Sequence, residues 1–329
     1  MIFSVNVFSY MLAAQVERGP YADLAAFLDK LGKCPFTGHV ERAMWGGFHA
    51  DRLGYAFAAG YGAALSRLFE HAARVQGLSG PKSLPDPLPK GVACLAVTEV
   101  GGVHPRAMTT RLDKEGGALV LRGKKTFATL APLASDIFVV ASRGIAADGT
   151  NRLRMVRVRP KMRGVTITPR DAMPFAPEIP HAVIALDNVV VGDADVLAGD
   201  GYTHYVKPFR TIEDTHVLAA SVAYLVGVSR RYAFDREIIA ELMSLGLSLV
   251  DVGARDPLAP LTHLALAGLF ASAMRLFQAL ETEWSKASDE ERARWERDRT
   301  LFSVTRAVRT KRLEVATQAL SSSRGLPTP

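Results

Sequence analysis

The sequence predicts an α+β fold in which two helical regions flank a β-rich centre. Apolar residues recur at three- and four-residue spacing up to about Gln76 and again from about Thr211, a period typical of amphipathic helices. Between them, short runs rich in Val, Ile, Thr and Phe alternate with Gly, Pro and Asp turns, which indicates a small β-barrel or sandwich. We therefore expect an N-terminal helical domain (1–90), a middle β-barrel domain (91–205) and a C-terminal helical bundle (206–329).

The expected elements follow from where each pattern starts and stops. An apolar stripe predicts a helix over Ala50–Val75, after a shorter helical pattern that begins at Tyr21. A proline-rich linker follows at Gly77–Lys90, because proline forces extended backbone. Later helices are expected at Thr211–Glu237, Pro260–Ser285 and Asp289–Ser321, the last with Asp289 as its N-cap. The expected strands are Ala93–Glu99, Ala118–Gly123, Lys125–Thr129, Asp136–Ala141, Leu153–Val158, Val165–Pro169 and Ala182–Val191.

Charge and cysteine content restrict the class of protein. The 329 residues include 40 Lys and Arg against 33 Asp and Glu, a net charge of +7 that favours anionic partners such as phosphorylated cofactors or acyl-CoA thioesters. Cys34 and Cys94 are the two cysteines, which suggests a reduced, cytoplasmic setting. The apolar N-terminal run is too short to span a bilayer and lacks the basic start of a secretory signal. We expect no membrane partner.

Two other kinds of site are weighed and set aside. Five arginines decorate two expected strands, but no aromatic residues interleave with them to stack bases, so a solvated strand face explains them better than nucleic acid does. The histidines lack the spacing of metal ligands, so we expect no metal site. The five arginines are Arg152, Arg154, Arg157, Arg159 and Arg163.

Three segments of the β-region, in order, carry a resemblance to a known family. Leu95–Pro105 reads LAVTEVGGVHP and is similar to the flavin-binding turn V-T-E-P-G-A-G-S-D of acyl-CoA dehydrogenases. Leu121–Ala131 reads LRGKKTFATLA and resembles their L-x-G-x-K-x-W-I-T-N-A segment, while Ala185–Val191 resembles the F-D-x-V-x-V strand. Motifs of this kind gain weight from their order and context. The resemblance implies an acyl-CoA dehydrogenase-like fold and FAD as the cofactor.

The resemblance also implies which residues contact the flavin ring. Thr129 stands where the family's threonine hydroxyl bonds near N5, and Thr98 where a threonine meets the pyrimidine end. Phe127 replaces a tryptophan that packs on the ring face, which keeps an aromatic surface. Leu95 and Val97 belong to the same turn. The alternative that Thr98, Phe127 and Thr129 are ordinary strand residues stays open, because Thr and Phe are common in strands.

Contacts to the FAD pyrophosphate are implied at two further places. Val103 and His104 replace the family's small G-S pair; His104 could pair with phosphate when cationic, whereas Val103 crowds the turn. Tyr232–Arg236 resembles the family's Y-A-x-x-R, so Arg236 matches the arginine that reaches the pyrophosphate of a neighbouring subunit. A guanidinium suits this role because it is always charged and fits phosphate oxygens.

The catalytic base is not at the family's usual position. The family's glutamate segment Y-E-G-T is not found before the chain ends, and Ser321 and Ser322 replace the glycines of the cofactor-contacting turn expected at Thr317–Gly325. A minority of the family carries the base on the first helix after the β-domain, where Asp214 lies, with Glu213 beside it and His216 two residues on. Alternatively, Glu213 and Asp214 complement the dipole in the first turn of a helix.

The resemblance thus implies an FAD-dependent oxidoreductase that dehydrogenates the α,β bond of an acyl-CoA or other acyl thioester. It also implies a homodimer or homotetramer, and electron-transfer flavoprotein as a redox partner. A second hypothesis is a catalytically degenerate protein of this fold that acts as a binding or assembly partner. The Ser-for-Gly turn and Val103 favour the second hypothesis, whereas Thr98, Phe127 and Thr129 oppose it.

Overall fold

The computed structural model describes residues 6–16, 20–78 and 91–322, which form two compact units. One, here called the helical unit, takes its described residues from Met1–Ala64, Pro174–Ala176 and Thr211–Pro329. The other, here called the sheet unit, comprises Leu65–Met173 and Pro177–Arg210. Both flanking helical regions of the sequence therefore contribute to one unit. The division into domains 1–90, 91–205 and 206–329 stays a prediction.

One mixed sheet organises the sheet unit. Its strands are hydrogen-bonded in the order β1-β4-β2-β3-β7-β6, with β5 paired to β4, and β1 runs parallel to β4. Buried aliphatic side chains such as Leu112, Leu121 and Ile184 form its core, and each contributes about 1.5–3 kcal/mol through burial. The strands are β1 Val92–Ala96, β2 Arg111–Glu115, β3 Ala118–Thr129, β4 Ala134–Ile145, β5 Asn151–Val158, β6 Val165–Pro169 and β7 His181–Val191.

The predicted strands are present, with two differences. The runs on either side of Lys124 form one strand, β3, whose pairing with β7 shifts register between Leu121 and Gly123. A Cβ on Gly123 would lie 2.6 Å from Thr110 Cα, and its φ is +147°, so only glycine fits this approach. Strand β2 is absent from the prediction because its sequence, RLDKE, buries a single apolar side chain, Leu112.

The helical unit is held together by close backbone packing. A Cβ on Gly47 would lie 1.9 Å from the Ala220 carbonyl oxygen, and one on Gly60 would lie 2.7 Å from Val217 Cα. The helices that carry these glycines therefore approach one long helix more closely than larger residues would allow. The α-helices of the chain are α1 Val7–Ala13, α2 Leu24–Leu31, α3 His39–His49, α4 Leu53–Val75, α5 Lys207–Arg231, α6 Arg236–Ala254, α7 Pro260–Ala279, α8 Asp289–Asp298, α9 Leu301–Val304 and α10 Arg306–Ser322.

Several helix boundaries differ from the predictions. Helix α5 ends at Arg231, before Ala233 takes a left-handed φ of +52°, and the unpredicted helix α6 follows. The single helix expected over Asp289–Ser321 is divided into α8, α9 and α10. Ser288, not Asp289, caps α8, because its side chain accepts a hydrogen bond from the Glu291 amide at 3.2 Å.

Other predictions lie partly outside the described residues. Of the expected linker Gly77–Lys90, only its first two residues are described. Of the expected turn Thr317–Gly325, residues 317–322 are helical and belong to α10. Helix α7 is long and apolar enough to cross a membrane, with a mean hydropathy of 1.2. One such helix is weak evidence, since core helices of soluble proteins have the same composition.

Two glycines of α4 allow the close packing to be tested. We expect Gly60→Ala to lower the free energy of unfolding by about 1–3 kcal/mol, because the new methyl group meets the α5 backbone at Val217. Gly62→Ala is the control: its Cβ meets nothing within 4 Å, and alanine favours the helix by about 0.5–1 kcal/mol. Urea denaturation measures both. Equal effects of the two substitutions would contradict this packing.

Candidate functional site

The sheet unit brings together the three residues that the motifs assign to the flavin ring. Thr98 follows β1, while Phe127 and Thr129 lie near the end of β3. Thr98 and Phe127 form an isolated antiparallel bridge, and the Thr126 amide donates to the Thr98 carbonyl at 2.8 Å. Phe127 and Thr129 are half-buried, whereas Ala128 between them is fully buried, so the two side chains point away from the core. We call Thr98, Phe127 and Thr129 the ring patch.

The turn after Thr98 is closed by its own backbone. The amides of Glu99 and Gly102 each donate to the other's carbonyl, at 3.0 and 2.9 Å, and Gly102 has a φ of +92°. The left-handed position thus falls on glycine and not on the half-buried Val103. His104 is exposed, and its Nδ1 accepts from the Arg106 amide at 3.2 Å, which leaves its Nε2 facing away from this contact. Leu95 is buried in β1.

A buried ion pair fixes this turn to β3. Lys125 Nζ donates to Glu99 Oε1 at 2.6 Å, and the two side chains are 0% and 3% exposed. Lys125 also donates to the Val97 carbonyl at 3.3 Å. Glu99 accepts three more hydrogen bonds, from the Thr109 amide at 2.7 Å, the Thr109 hydroxyl at 2.5 Å and the Thr110 amide at 3.1 Å. We call this network the Glu99–Lys125 clasp.

Both members of the clasp are charged at neutral pH. Burial alone would raise the pKa of Glu99, but the hydrogen bonds from Lys125 and the two threonines outweigh it and lower the pKa to about 2. Burial lowers the pKa of Lys125 to about 8, although Glu99 opposes this shift. Sequence reasoning did not identify the clasp. The sequence feature that could have identified the clasp is the presence of Glu99 and Lys125 in the two quoted motif segments.

Two residues that the motifs do not include lie against the ring patch. The His181 ring is centred 4.3 Å from that of Phe127, at 37° to it. The Arg170 guanidinium lies 5.6 Å from the Phe127 ring centroid and donates to the Thr126 carbonyl at 2.9 Å. Burial lowers the pKa of His181, and it outweighs a backbone hydrogen bond at Ile179 that raises it; the nearby charge of Arg170 lowers the pKa further, so the imidazole is neutral at neutral pH. Only the pairing of β3 with β7 places His181 here, opposite Thr129.

The ring patch has the groups that a flavin ring requires. Among the described residues, no partner is found for the hydroxyls of Thr98 and Thr129, and both residues are half-buried. Nδ1 of His181 is buried and likewise makes no hydrogen bond of normal geometry within the described ranges. A flavin needs polar groups at its edge and apolar cover on its face. The residues present therefore fit the cofactor that the motifs imply.

In the helical unit, the candidate base is part of an ion-pair cluster. Arg312 pairs with Asp214 Oδ2, Arg309 lies 3.9 Å from its Oδ1, and the three side chains are 13–14% exposed. Arg312 also donates to the Thr211 hydroxyl at 3.3 Å. Arg309 packs over the Phe270 ring at 4.2 Å. The acid at position 214 is therefore held by two guanidinium groups.

The remaining candidates of the helical unit are placed as follows. Helix α5 starts at Lys207, so Glu213 and Asp214 lie in its second turn, and the expected first-turn position is wrong. Glu213 is half-buried, and His216 is 1% exposed with its Nδ1 2.7 Å from the Ile212 carbonyl oxygen. Arg236 is the exposed first residue of α6 and makes no ion pair with a described residue.

Three of the five arginines set aside as a nucleic-acid site have structural contacts. Arg157 is buried and pairs with Asp136 at 2.5 Å. Arg159 lies 3.5 Å from an oxygen of Asp195, and Arg154 donates to the Leu153 carbonyl at 2.9 Å. Within the described ranges, no group of three or more His, Cys, Asp or Glu side chains could hold a metal ion.

The clasp makes the stability of the fold depend on pH. The pKa of Glu99 falls from its ordinary 4.5 to about 2 on folding, so its contribution is complete above about pH 4.5 and is lost as the pH falls towards 2. We expect Glu99→Gln to lower the free energy of unfolding at pH 7 by about 3–5 kcal/mol, because it leaves Lys125 buried without its partner. The loss relative to wild type should shrink between pH 4.5 and pH 2.

Urea denaturation at a series of pH values measures this dependence. Glu115→Gln is the matched control, because Glu115 pairs with Arg122 at 2.6 Å on the exposed side of the sheet unit. A surface pair of this kind stabilises a protein little, so the control should follow the wild type at every pH. A Glu99→Gln protein as stable as the control at pH 7 would contradict the role given to the clasp.

Comparisons with known proteins agree with the motifs. Residues 94–189 match the middle domain of acyl-CoA dehydrogenases. Over 130 residues, 39% of this chain, the sequence is 32% identical to a 3-(aryl)acrylate reductase of Clostridium sporogenes (strain ATCC 15579). That match spans 34% of the reductase, about a third of its length.

Solved structures of the same fold cover most of the chain. The butyryl-CoA dehydrogenase of Megasphaera elsdenii is 13% identical with a TM-score of 0.64, over 91% of this chain and 82% of that one. The prolyl acyl carrier protein oxidase AnaB is 14% identical with a TM-score of 0.63, over 97% of both chains. PigA, solved with FAD and proline, is 13% identical with a TM-score of 0.65, over 96% of this chain and 92% of that one.

The sequence match and the structural likeness both include the middle of the chain. The matched residues 94–189 contain the whole ring patch and the Glu99–Lys125 clasp. The solved structures show that the fold extends over the flanking helical regions as well. The resemblance to the acyl-CoA dehydrogenase family is confirmed over the middle domain, residues 94–189, and the chain has an acyl-CoA dehydrogenase-like fold.

Proposed function

We propose that the protein binds FAD at the ring patch and acts as an oxidoreductase on the α,β carbon–carbon bond of an acyl thioester. The observation that carries this proposal is the bridge between Thr98 and Phe127, which joins two motif segments with unused hydroxyls beside an aromatic ring. An ordinary pair of strands needs neither the free hydroxyls nor their clustering. The patch therefore supports the cofactor better than the alternative of ordinary strand residues.

Each cofactor-binding residue has one proposed task. The Thr129 hydroxyl donates near flavin N5, the Thr98 hydroxyl binds the pyrimidine end, and Phe127 covers one face and excludes water from it. When bound, FAD supplies the acceptor for a hydride. Leu95 and Val97 shape the wall of the turn; the backbone at Val103, the His104 side chain and Arg236, acting from a neighbouring subunit, are proposed for the pyrophosphate.

The names of similar proteins are consistent with this type of reaction. One relative is a reductase of arylacrylates, and one structure of the same fold is a dehydrogenase of butyryl-CoA. Formation and reduction of an α,β double bond are opposite directions of one two-electron change. The proposal therefore specifies the bond, and it takes an acyl-CoA or another acyl thioester as the substrate class. Electron-transfer flavoprotein is the proposed redox partner.

Asp214 is the proposed base, with Glu213 as the alternative. Arg312 occupies Asp214 Oδ2, so Oδ1, with Arg309 at 3.9 Å, is the atom left to accept the α-proton. A base must reach the proton that it removes, and its ion pair must loosen as the carboxylate becomes neutral. Because protonation of Asp214 weakens its ion pair with Arg312, substitution of either residue tests the assignment directly.

The same ion pair favours a second candidate function. A carboxylate held by two guanidinium groups is a stable structural element, and a protein that had lost turnover could keep it unchanged. In this reading the protein is a catalytically degenerate member of the fold that binds FAD or an acyl thioester and serves as a binding or assembly partner.

We also propose a homodimer or homotetramer in a cytoplasmic setting. Large apolar side chains of three C-terminal helices are exposed: Leu247 of α6 at 57%, Leu261 of α7 at 52% and Val315 of α10 at 53%. Exposed apolar residues on several helices favour burial against a second copy. The unpaired Arg236 is consistent with a role towards a neighbouring subunit.

Cofactor binding is tested by adding FAD to the purified protein and measuring flavin absorbance and the Kd. We expect near-stoichiometric binding by the wild type. Thr129→Val should raise the Kd about tenfold, because one hydrogen bond to the cofactor contributes about 1–1.5 kcal/mol. Thr168→Val, at an exposed threonine of β6, is the control and should bind like the wild type. Protein that stays colourless with excess FAD would contradict the proposal.

The base is tested by anaerobic flavin bleaching with a panel of acyl-CoA thioesters. We expect Asp214→Asn to lower the rate by about a hundredfold, since a positioned base contributes at least that much. Glu213→Gln should have little effect. Arg312→Met separates the two roles of Asp214, because it breaks the same ion pair but leaves the carboxylate in place.

The outcomes of the base experiment are distinct. A base at Asp214 predicts that Arg312→Met lowers the melting temperature as Asp214→Asn does, yet keeps the bleaching reaction. Equal loss of bleaching in both variants would assign the ion pair a structural role and reject Asp214 as the base. No bleaching by a flavin-loaded wild type with any thioester would favour the binding-partner candidate.

A further inference from the structure

Arg170 holds a positive charge at the ring patch. It follows directly after β6, where its amide donates to the His181 carbonyl at 2.9 Å and fixes the backbone beside β7. Its guanidinium donates to the Thr126 carbonyl at 2.9 Å and lies 5.6 Å from the Phe127 ring centroid. The guanidinium group is thus held by the Thr126 carbonyl and by the Phe127 ring, although Arg170 is exposed.

No charge in the described part of the chain pairs with Arg170. It forms no ion pair there, unlike Arg157 and Arg122, which pair with carboxylates of the same unit. The His181 ring that packs against Phe127 is neutral, so it does not balance the charge of Arg170. A docked arginine without a counter-ion indicates a site whose ligand is, or becomes, negatively charged.

We propose that Arg170 stabilises the negative charge that a flavin ring bound at the patch gains on reduction. This inference rests on the proposed function. In the dehydrogenation, the β-carbon–hydrogen bond breaks and its electron pair passes with the hydrogen to the ring as hydride, while the α-proton passes to the base. The thioester is oxidised to the α,β-unsaturated product, and the neutral ring becomes the reduced anion. A fixed cation beside the ring favours that anion over the neutral oxidised form.

The docking of Arg170 distinguishes it from the other arginines of the sheet unit. Arg163 precedes Gly164 at the other end of β6, and the five residues of β6 alone extend about 16 Å at ~3.3 Å per residue. Arg163 is exposed, like Arg170, and carries the same charge. Arg163→Gln therefore removes one positive charge at the other end of β6, away from the ring patch.

The experiment measures the two-electron midpoint potential and the Kd for FAD in the wild type, Arg170→Gln, Arg170→Lys and Arg163→Gln, with dithionite as the reductant. We expect Arg170→Gln to weaken the binding of reduced relative to oxidised flavin about tenfold, which lowers the potential by about 30 mV for a two-electron couple. Arg170→Lys keeps the charge and should retain most of the potential. Arg163→Gln should match the wild type.

Two results would overturn the inference. An unchanged potential in Arg170→Gln would show that its charge does not reach the ring. Tighter FAD binding by Arg170→Gln at an unchanged potential would show that the guanidinium covers Phe127 and excludes the ring. Failure of the proposed function has a different signature, since a wild type that takes up no flavin has no potential to measure.

Discussion

The Glu99–Lys125 clasp is the interaction on which the candidate site depends. A carboxylate and an ammonium group taken out of water stabilise a fold only when their remaining hydrogen bonds are satisfied. Here the threonines at 109 and 110 and the Val97 carbonyl satisfy them. The clasp thereby fixes both ends of the turn against β3, and this places Thr98 beside Phe127. A fold that lost the clasp could keep its strands and still lose the ring patch.

Local sequence patterns predicted most strands of the sheet and the start of helix α7. Strands β3 to β7 follow from runs of β-branched residues, and α7 starts at the predicted Pro260. Strand β2 did not follow, because it buries only one apolar side chain. Helix α6 was missed although its buried residues Leu242, Leu245, Leu249 and Val252 recur at helical spacing. The sequence motifs predicted the three residues of the ring patch. The positions of His181 and Arg170 depend on long-range strand pairing, which one sequence does not reveal.

The partners of Asp214 also depend on long-range contacts that one sequence does not reveal. Its position in the chain matches an alternative base, but Arg312, which pairs with it, comes from α10, far along the sequence. The position of a residue in a motif suggests its chemical role. Its ion-pair partners determine how much free energy is needed for the carboxylate to accept a proton. Solved structures of this fold include a dehydrogenase and an oxidase, and the sequence relative is named a reductase. Function must therefore be argued from the site and not from the fold.

The central claim is that FAD binds at the patch that the clasp organises. Amide hydrogen exchange with and without FAD, read by mass spectrometry, tests it most directly. We expect slower exchange on FAD addition in the peptides that contain residues 98–110 and 126–129, with little change in β5, which pairs with β4. Binding of FAD that leaves residues 98–110 and 126–129 unprotected, or protects only other regions, would contradict the account.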